Sequence, residues 1–273
     1  MVNYNGTLIS HSDPIFKAGN RAFLYGDQLF ETLLYKNSTL KFWEDHYFRM
    51  MGGACLLRME IPVHLNMDFM YREIRNTLQA SHLDNQDARV RLSLFRVDGG
   101  LYTPVNRSLE YLIEVEALVP YDSSKGLVID VFHDHLKPSL PLYNIKGANS
   151  LVSVLSGIFA KDNKLDEAII LNSESYLCET TASNIFVVKD NIIYTPSISS
   201  GCVDGIIRKQ LFENASEWGL NIVEKDMKSF ELIKADEVFL TNSIKGIQWV
   251  KSYKKKNYTN SFSQAIRLKL IDL

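Results

Sequence analysis

The chain has 273 residues, of which 46% are hydrophobic and 11% aromatic, a composition typical of a globular protein and not of a disordered one. Its 30 basic and 32 acidic residues give a formal net charge of −2, so the sequence carries no polyanion-binding footprint and nucleic acid is not expected as a partner. The three cysteines are an odd number without metal-type spacing, which supports neither a disulfide framework nor a structural zinc site.

The hydropathy pattern predicts a protein that neither crosses nor enters a membrane. No apolar run approaches the length that spans a bilayer, and the first six residues lack the basic and then apolar layout of a signal peptide. We therefore expect a cytoplasmic protein with no membrane partner.

The first half of the chain reads as strands joined by turns, with two helices among them. Asn5-Gly6 suits the positive φ angles of a tight hairpin turn. The alternation over residues 89–96 indicates a strand with one packed face and one solvent face. In chain order the patterns predict a hairpin, a strand after a glycine turn, two helices and two strands, over residues 2–9, 23–35, 43–57, 66–80, 89–96 and 109–117.

Turn formers cluster and the periodicity stops over residues 120–126, which we interpret as a linker. It divides the chain into a small domain, residues 1–119, and a larger one, residues 127–273. Because strands outnumber helices and are often joined by hairpins, the predicted fold class is α+β. Beyond the linker the patterns predict a strand, a helix, three strands, a helix, a strand, a short helix, two strands and a closing helix, over residues 127–132, 149–160, 167–171, 183–188, 192–195, 205–218, 221–224, 229 onward, 237–241, 247–250 and 262–270.

The stretch from Cys178 to Lys209 carries the strongest functional signal. Two β-rich runs lead through a Pro/Ser/Gly loop to Gly205, where a helical pattern opens. The first N–H groups of a helix have no internal partners and the dipole is positive there, so a helix start of this kind binds anions. By itself, this pattern predicts a ligand that bears a phosphate.

The residue order in the same stretch resembles the class IV (fold type IV) pyridoxal-phosphate aminotransferase family. That family includes branched-chain and D-amino-acid transaminases and aminodeoxychorismate lyase. The similarity extends from about Tyr4 to Val250, and Asn144-Ile145-Lys146-Gly147 resembles the family's coenzyme-lysine motif. The positions that carry the resemblance are Glu179, Thr181, Asn184, Ile185, Phe186, Ile193, Thr195, Val203, Gly205, Ile206 and Arg208.

The resemblance implies a two-domain fold, with a small N-terminal α/β domain and a larger C-terminal domain built around a strand-rich pseudo-barrel. It also implies a homodimer with pyridoxal 5'-phosphate at the domain interface, acting on a small amino acid and a 2-oxo acid. The coenzyme needs an amine to hold it, a carboxylate at its ring nitrogen, a phosphate cup and a means of recognising substrate.

By resemblance, Lys146 is the amine and the catalytic residue, Glu179 the carboxylate, and Arg49 of His46-Tyr47-Phe48-Arg49 a phosphate ligand. An arginine suits phosphate because its planar guanidinium stays charged and offers paired donors. The alternatives are a loop lysine, a solvated acid at a strand end and an arginine on a helix surface. The remaining phosphate contacts implied are Gly205, Ile206, Ile207, Asn242 and Ser243.

Five positions match residues that line substrate pockets in various family members: Tyr25, Phe30, Arg89, Arg91 and Arg96. Arg89 and Arg91 are two apart on a strand, so both guanidiniums share one face and could receive a carboxylate. The alternative is a basic face that is simply solvated. Arg96 precedes Asp98-Gly99-Gly100, and we expect it to belong to a loop over the site.

Two departures from the family pattern leave the reaction open. Branched-chain transaminases carry a tyrosine where this chain has Leu151, and they favour glycine where it has Asn242. The strings Phe239 to Ile244 and Tyr25 to Thr32 look more like aminodeoxychorismate lyases. The main interpretation is a transaminase and the alternative a lyase that releases pyruvate and 4-aminobenzoate. A relative that binds coenzyme without catalysis is disfavoured, because it would not need Lys146.

Overall fold

A computed structural model describes residues 1–271, which divide into two compact units. The N-terminal unit comprises residues 1–120 and the segment Ile145–Asn149, and the C-terminal unit comprises residues 121–144 and those from 150 onward. The α+β class expected from the sequence is confirmed. The expected linker at 120–126 lies where the first unit ends, but the pattern gave no sign that Ile145–Asn149 returns to that unit.

A six-stranded antiparallel sheet forms the N-terminal unit, with strand order β2-β1-β6-β5-β3-β4. Helices α2 and α3 bury apolar side chains against one face of it. The elements are β1 (Val2–Tyr4), β2 (Thr7–Ile9), α1 (Arg21–Tyr25), β3 (Gln28–Lys36), β4 (Thr39–Leu40), α2 (Trp43–Leu56), α3 (Met67–Ala80), β5 (Ala88–Arg96) and β6 (Leu109–Ala117).

Strand β3 follows the alternation expected of a strand with one packed face. Leu29, Glu31, Leu33 and Tyr35 are buried, while the residues between them are partly exposed. Strand β5 keeps the alternation only at its start, because Ser93, Phe95 and Arg96 are buried as well. The expectation of a solvent face along the whole of β5 is therefore wrong. The short helix α1 was not predicted.

The C-terminal unit is built on a nine-stranded mixed sheet that curls into a half-barrel. Its strand order is β12-β11-β10-β13-β14-β7-β8-β9, with β15 paired to β14. The elements are β7 (Leu127–Lys137), α4 (Leu151–Asp162), β8 (Glu167–Asn172), β9 (Leu177–Thr180), β10 (Asn184–Lys189), β11 (Ile192–Thr195), α5 (Ile206–Glu213), α6 (Ala215–Trp218), β12 (Ile222–Glu224), β13 (Glu237–Asn242), β14 (Gly246–Tyr253), β15 (Lys256–Asn257) and α7 (Ser261–Ile271), with 3₁₀ turns at Pro141–Tyr143, Ile198–Ser200 and Ser229–Lys234.

Three differences from the predicted elements bear on the site. Strand β7 runs five residues further than expected, to Lys137, and Glu179 lies inside the unpredicted strand β9. The helix expected over 205–218 is interrupted at Asn214, a residue with weak helix propensity that ends α5.

Within residues 1–271, no helix combines the length and apolar character needed to cross a membrane.

Candidate active site

The segment Ile145–Asn149 runs along the edge of β3 and fixes Lys146. The Phe30 N–H donates to the Lys146 carbonyl at 3.0 Å, and the Ala148 N–H donates to the Gln28 carbonyl at 2.9 Å. Ile145 packs into the core of the N-terminal unit. Because neighbouring side chains of an extended segment point to opposite sides, Lys146 lies on the side of β3 that carries Phe30.

The Phe30 ring contacts two cationic side chains. The Nζ atom of Lys146 lies 4.5 Å from the ring centroid, and the guanidinium carbon of Arg91 lies 4.0 Å from it. Both distances fall within the range of cation–π attraction. The structure thus brings together three of the predicted residues, an amine, an aromatic ring and a guanidinium.

Arg89 shares the sheet face with Arg91 but has a different environment. Its Nη1 donates to Glu116 Oε1 at 2.6 Å, whereas the closest ion-pair distance from Arg91, Nε to Glu114 Oε2, is 3.8 Å. Burial lowers the pKa of Arg91, with a smaller contribution from Arg89, and Glu114 opposes the shift. Arg91 is therefore the less firmly paired of the two guanidiniums.

Arg49 on α2 belongs to a buried cluster with Glu31 and His46. Its Nε donates to Glu31 Oε1 at 2.7 Å, its Nη2 donates to Oε2, and the His46 Nδ1–H donates to Oε2 at 2.7 Å. Burial raises the pKa of Glu31, but the Arg49 charge and the hydrogen bonds from His46 and Arg49 outweigh it and lower the pKa to about 2. Glu31 therefore holds the Arg49 side chain in one orientation.

Burial lowers the pKa of His46 and outweighs the opposing effect of Glu31, so the imidazole is neutral near neutral pH. The Lys146 charge lowers this pKa further, which makes Lys146 an electrostatic neighbour of the cluster. The buried Nε2 of His46 has no hydrogen-bond partner in the described part of the chain. The sequence motifs did not indicate that Glu31 pairs with Arg49 and His46.

Arg96 lies away from these groups, on the packed face of the sheet. It is 6% exposed and donates from Nε to Asp27 Oδ2 at 2.9 Å and from Nη2 to the Leu57 carbonyl at 2.8 Å. Arg21 donates to the same Asp27 oxygen at 2.9 Å. Arg96 ends β5, so the expectation that it belongs to a loop is wrong.

Tyr25, the last residue of α1, packs against two side chains. Its ring centroid lies 5.6 Å from the ring centroid of Tyr102. The same centroid lies 5.0 Å from the guanidinium carbon of Arg21. Neither contact involves Lys146, Phe30 or Arg91. The predicted substrate roles of Tyr25 and Arg96 stay predictions without a shared cluster to support them.

In the C-terminal unit, Glu179 is 6% exposed and accepts two hydrogen bonds. Lys137 Nζ donates to Oε1 at 2.5 Å, and the Val203 N–H donates to Oε2 at 2.8 Å. A carboxylate has about four acceptor positions, so each oxygen can receive a further donor. The sequence motifs did not indicate Lys137, which lies 42 residues before Glu179.

Helix α5 begins directly after Gly205, as the motif predicted. A Cβ atom on residue 205 would lie 1.9 Å from Asn184 Oδ1, so only glycine leaves room for that side chain. Asn184 donates in turn to the Val203 carbonyl at 2.9 Å. The N–H groups of Ile206 and Ile207 belong to the first turn of α5, whose amides have no intrahelical acceptor.

The turn after β13 is organised by Asn242. Its Oδ1 accepts from the N–H groups of Ile244 at 3.1 Å and Lys245 at 2.8 Å, and its Nδ2 donates to Ser183 Oγ at 3.1 Å. The Asn242 side chain therefore shapes the loop that presents Ser243. In strand β13, which packs against α5, the buried Oγ1 of Thr241 has no hydrogen-bond partner within residues 1–271.

The sequence profile of the family described as Amino-transferase class IV matches residues 28–253, well over half of the chain. The chain belongs to the class IV aminotransferase family. This confirms the resemblance seen in the sequence and identifies the protein as a member of an enzyme family.

Relatives within the family differ in the reactions their names state. An aminodeoxychorismate lyase of Vibrio harveyi is 27% identical over 234 residues, which cover 84% of this chain and 84% of that protein. A D-alanine aminotransferase of Bacillus licheniformis is 26% identical over 258 residues, 89% of this chain and 84% of that protein.

The fold has counterparts among solved structures. The branched-chain amino acid aminotransferase of Thermobaculum terrenum, in its PLP-form, superposes with a TM-score of 0.86 at 22% identity, covering 99% of this chain and 92% of that one. This likeness supports the predicted fold type. The names of the three relatives leave the substrate of this class IV family member open.

Proposed function

We propose that this chain is a pyridoxal-phosphate-dependent aminotransferase that moves an amino group between a small amino acid and a 2-oxo acid. The observation that carries the proposal is the cluster of Lys146, Phe30 and Arg91. It provides an amine for the coenzyme and, across one aromatic ring, a guanidinium for the carboxylate of an amino acid.

The residues present fit pyridoxal 5'-phosphate by the chemistry of their donors and acceptors. Lys146 offers the amine, Glu179 a buried carboxylate with acceptor capacity for a ring N–H, and Arg49 a guanidinium. The first turn of α5 after Gly205 offers backbone N–H groups, and the buried Thr241 hydroxyl is unpartnered among the described residues. We propose that Gly205, Ile206, Ile207, Asn242 and Ser243 complete the phosphate cup.

When bound, the coenzyme supplies an electron sink that stabilises a carbanion at the substrate Cα. The Lys146 amine would move a proton to and from that carbon, as a general acid and base. Arg91 would bind and orient the substrate carboxylate, and Glu179 would hold a proton at the ring nitrogen. Arg49, oriented by Glu31, would counter the phosphate charge.

A lyase that releases pyruvate and 4-aminobenzoate from aminodeoxychorismate is the second candidate. The V. harveyi relative, a lyase by name, favours it, as does the leucine at position 151, where branched-chain transaminases carry a tyrosine. Both candidates need the same residues around the coenzyme. They differ in what the substrate pocket receives.

A paired assay on purified protein separates the two functions. One arm measures pyruvate release from aminodeoxychorismate, and the other measures 2-oxo acid formation from a panel of L- and D-amino acids. Amino transfer without pyruvate release supports the transaminase. Strong pyruvate release with no amino transfer would overturn it in favour of the lyase.

We also propose that the enzyme is a cytoplasmic homodimer. Helix α4 supports the proposed dimer, because it exposes apolar side chains on successive turns that a second copy could cover. The exposed fraction is 75% for Leu151, 52% for Val154 and 52% for Ile158. Light scattering on the purified chain would give the mass of a dimer, and Val154→Asp would shift it toward the monomer. A monomeric wild-type protein would contradict this part of the proposal.

A further inference from the structure

The carboxylate of Glu179 is paired with a buried cation that the sequence motifs did not indicate. Lys137 is 8% exposed, at the end of β7, and its Nζ lies 2.5 Å from Glu179 Oε1. The other oxygen accepts the Val203 N–H at 2.8 Å. The carboxylate is therefore fixed at both oxygens, by one cationic donor and one neutral donor.

We propose that Lys137 is a positioning residue for Glu179 that also weakens the hold of Glu179 on the proton of the coenzyme ring nitrogen. The inference rests on the proposed function, in which Glu179 faces that nitrogen. It concerns how strongly the ring is kept protonated, which sets how strongly the ring withdraws electrons from the substrate.

Lys137 and Val203 fix the orientation of the Glu179 carboxylate. A buried carboxylate without a counter-ion is costly, and it recovers solvation by rotating toward any available donor. The two donors hold its two oxygens in place before the coenzyme arrives. Because each oxygen retains acceptor capacity, a ring N–H can be a third donor without displacing Lys137.

Lys137 also changes the charge that the ring nitrogen meets. With Lys137 present, the lysine–glutamate pair has no net charge, and protonating the ring nitrogen adds a net positive charge to a buried site. With Lys137 removed, Glu179 alone faces the ring nitrogen, and protonation produces a neutral pair. Like charges in a low-dielectric site disfavour one another, so Lys137 opposes ring protonation.

The ion pair can be tested in the coenzyme-free protein by a double-mutant cycle. Lys137→Met leaves the Glu179 carboxylate unpaired, so the unfolding equilibrium constant should rise at least tenfold, whereas Lys137→Met with Glu179→Gln should recover most of that loss. Lys137→Arg should behave like wild type. Lys125→Met, which removes an exposed lysine 3.5 Å from Asp166, is the matched surface control and should change the constant less than fivefold.

The charge effect is measured with coenzyme labelled with ¹⁵N at the ring nitrogen, whose chemical shift reports protonation. The ring in Lys137→Met should keep its proton to higher pH than in wild type, and Lys137→Arg should restore the wild-type titration. If Lys137→Met does not fold, Lys137→Gln provides the same comparison. A merely structural role for Lys137 would leave the titration unmoved.

The outcomes separate this inference from the proposed function. If wild type binds no coenzyme, the proposed function is overturned and this inference falls with it. If wild type binds coenzyme but the ring titrates identically in wild type and Lys137→Met, this inference alone is overturned. A shift to higher pH, reversed by arginine, supports it.

Discussion

Lys146 and Arg91 contact the same aromatic ring, with Nζ 4.5 Å and the guanidinium carbon 4.0 Å from the Phe30 centroid. Lys146 lies 55 positions after Arg91 in the sequence. Its segment joins β3 through the hydrogen bonds of the Phe30 and Ala148 N–H groups. Under the proposed function, Lys146 would hold the coenzyme and Arg91 would bind the substrate carboxylate. The two cations share one ring, so the proposed function predicts that the substrate carboxylate binds beside Phe30, near the Lys146 amine.

Substrate binding should depend on Arg91 and much less on Arg89. Arg91→Gln removes a charge-assisted contact to the substrate carboxylate, and we expect KM to rise at least tenfold, since such contacts contribute about 1.5–3 kcal/mol. Arg89→Gln is the matched control, because Arg89 is already engaged by Glu116 at 2.6 Å. Steady-state kinetics that gave equal KM values for the two variants would contradict the assignment.

Glu31→Gln should destabilise the protein at neutral pH and flatten its acid unfolding. The folded pKa is lowered from 4.5 to about 2, so Glu31 stabilises the fold above pH 4.5 and this contribution is lost as the pH falls toward 2. A pKa shift of this size contributes on the order of 3 kcal/mol to the free energy of unfolding at neutral pH.

Urea unfolding at pH 7 and at pH 3 measures this effect. The difference in unfolding free energy between wild type and Glu31→Gln should be clearly smaller at the lower pH. Glu60→Gln, whose partner Arg107 is equally exposed, is the control and should change little at either pH. If the difference in unfolding free energy between wild type and Glu31→Gln were the same at both pH values, the pKa of Glu31 would not be lowered in the folded protein.

Gly205→Ala should disturb the start of α5. The new Cβ would lie 1.9 Å from Asn184 Oδ1, so Asn184 must move and lose its hydrogen bond to the Val203 carbonyl. We expect a loss of about 1–3 kcal/mol in unfolding free energy and weaker coenzyme binding. Gly52→Ala is the control, because a Cβ there meets no atom within 4 Å beyond its chain neighbours and the backbone of its own helix. A Gly205→Ala protein with wild-type stability and affinity would be inconsistent with this crowding.

Asp27→Asn should be strongly destabilising, by about 3–5 kcal/mol, because it leaves two buried arginines, Arg21 and Arg96, without their shared counter-ion. Removal of the exposed Arg107 should cost no more than about 1 kcal/mol.

A separate kinetic measurement tests whether Arg96 contacts substrate. If Arg96 touches substrate, a stable Arg96→Lys variant should show a raised KM, whereas a structural role predicts an unchanged one.

The family motifs were readable in the sequence because they are local. The pattern predicted the helix that opens after Gly205, and the resemblance to the family pointed to Lys146 in the short string Asn144-Ile145-Lys146-Gly147. The strand predicted after the glycine turn is likewise present, as β3. The nearby partners of these residues were not readable in the same way.

Contacts made across long sequence separations could not be predicted from local patterns. Lys137 lies beyond the run His133-Asp134-His135, whose polarity ended the predicted strand although β7 continues through it. Strand β9 has only four residues, too few for periodicity to identify. The return of Ile145–Asn149 to the N-terminal unit depends on backbone hydrogen bonds to β3, which leave no trace in side-chain patterning.

The most direct test of the proposed function is to find the residue that bonds to the coenzyme. Purified protein is mixed with pyridoxal 5'-phosphate, reduced with borohydride, digested and examined by peptide mass spectrometry. We predict a single modified lysine, Lys146, and no modification at that peptide in Lys146→Ala, with Lys137→Ala still labelled at Lys146. Stable labelling at another lysine, or undiminished labelling of Lys146→Ala, would contradict the account.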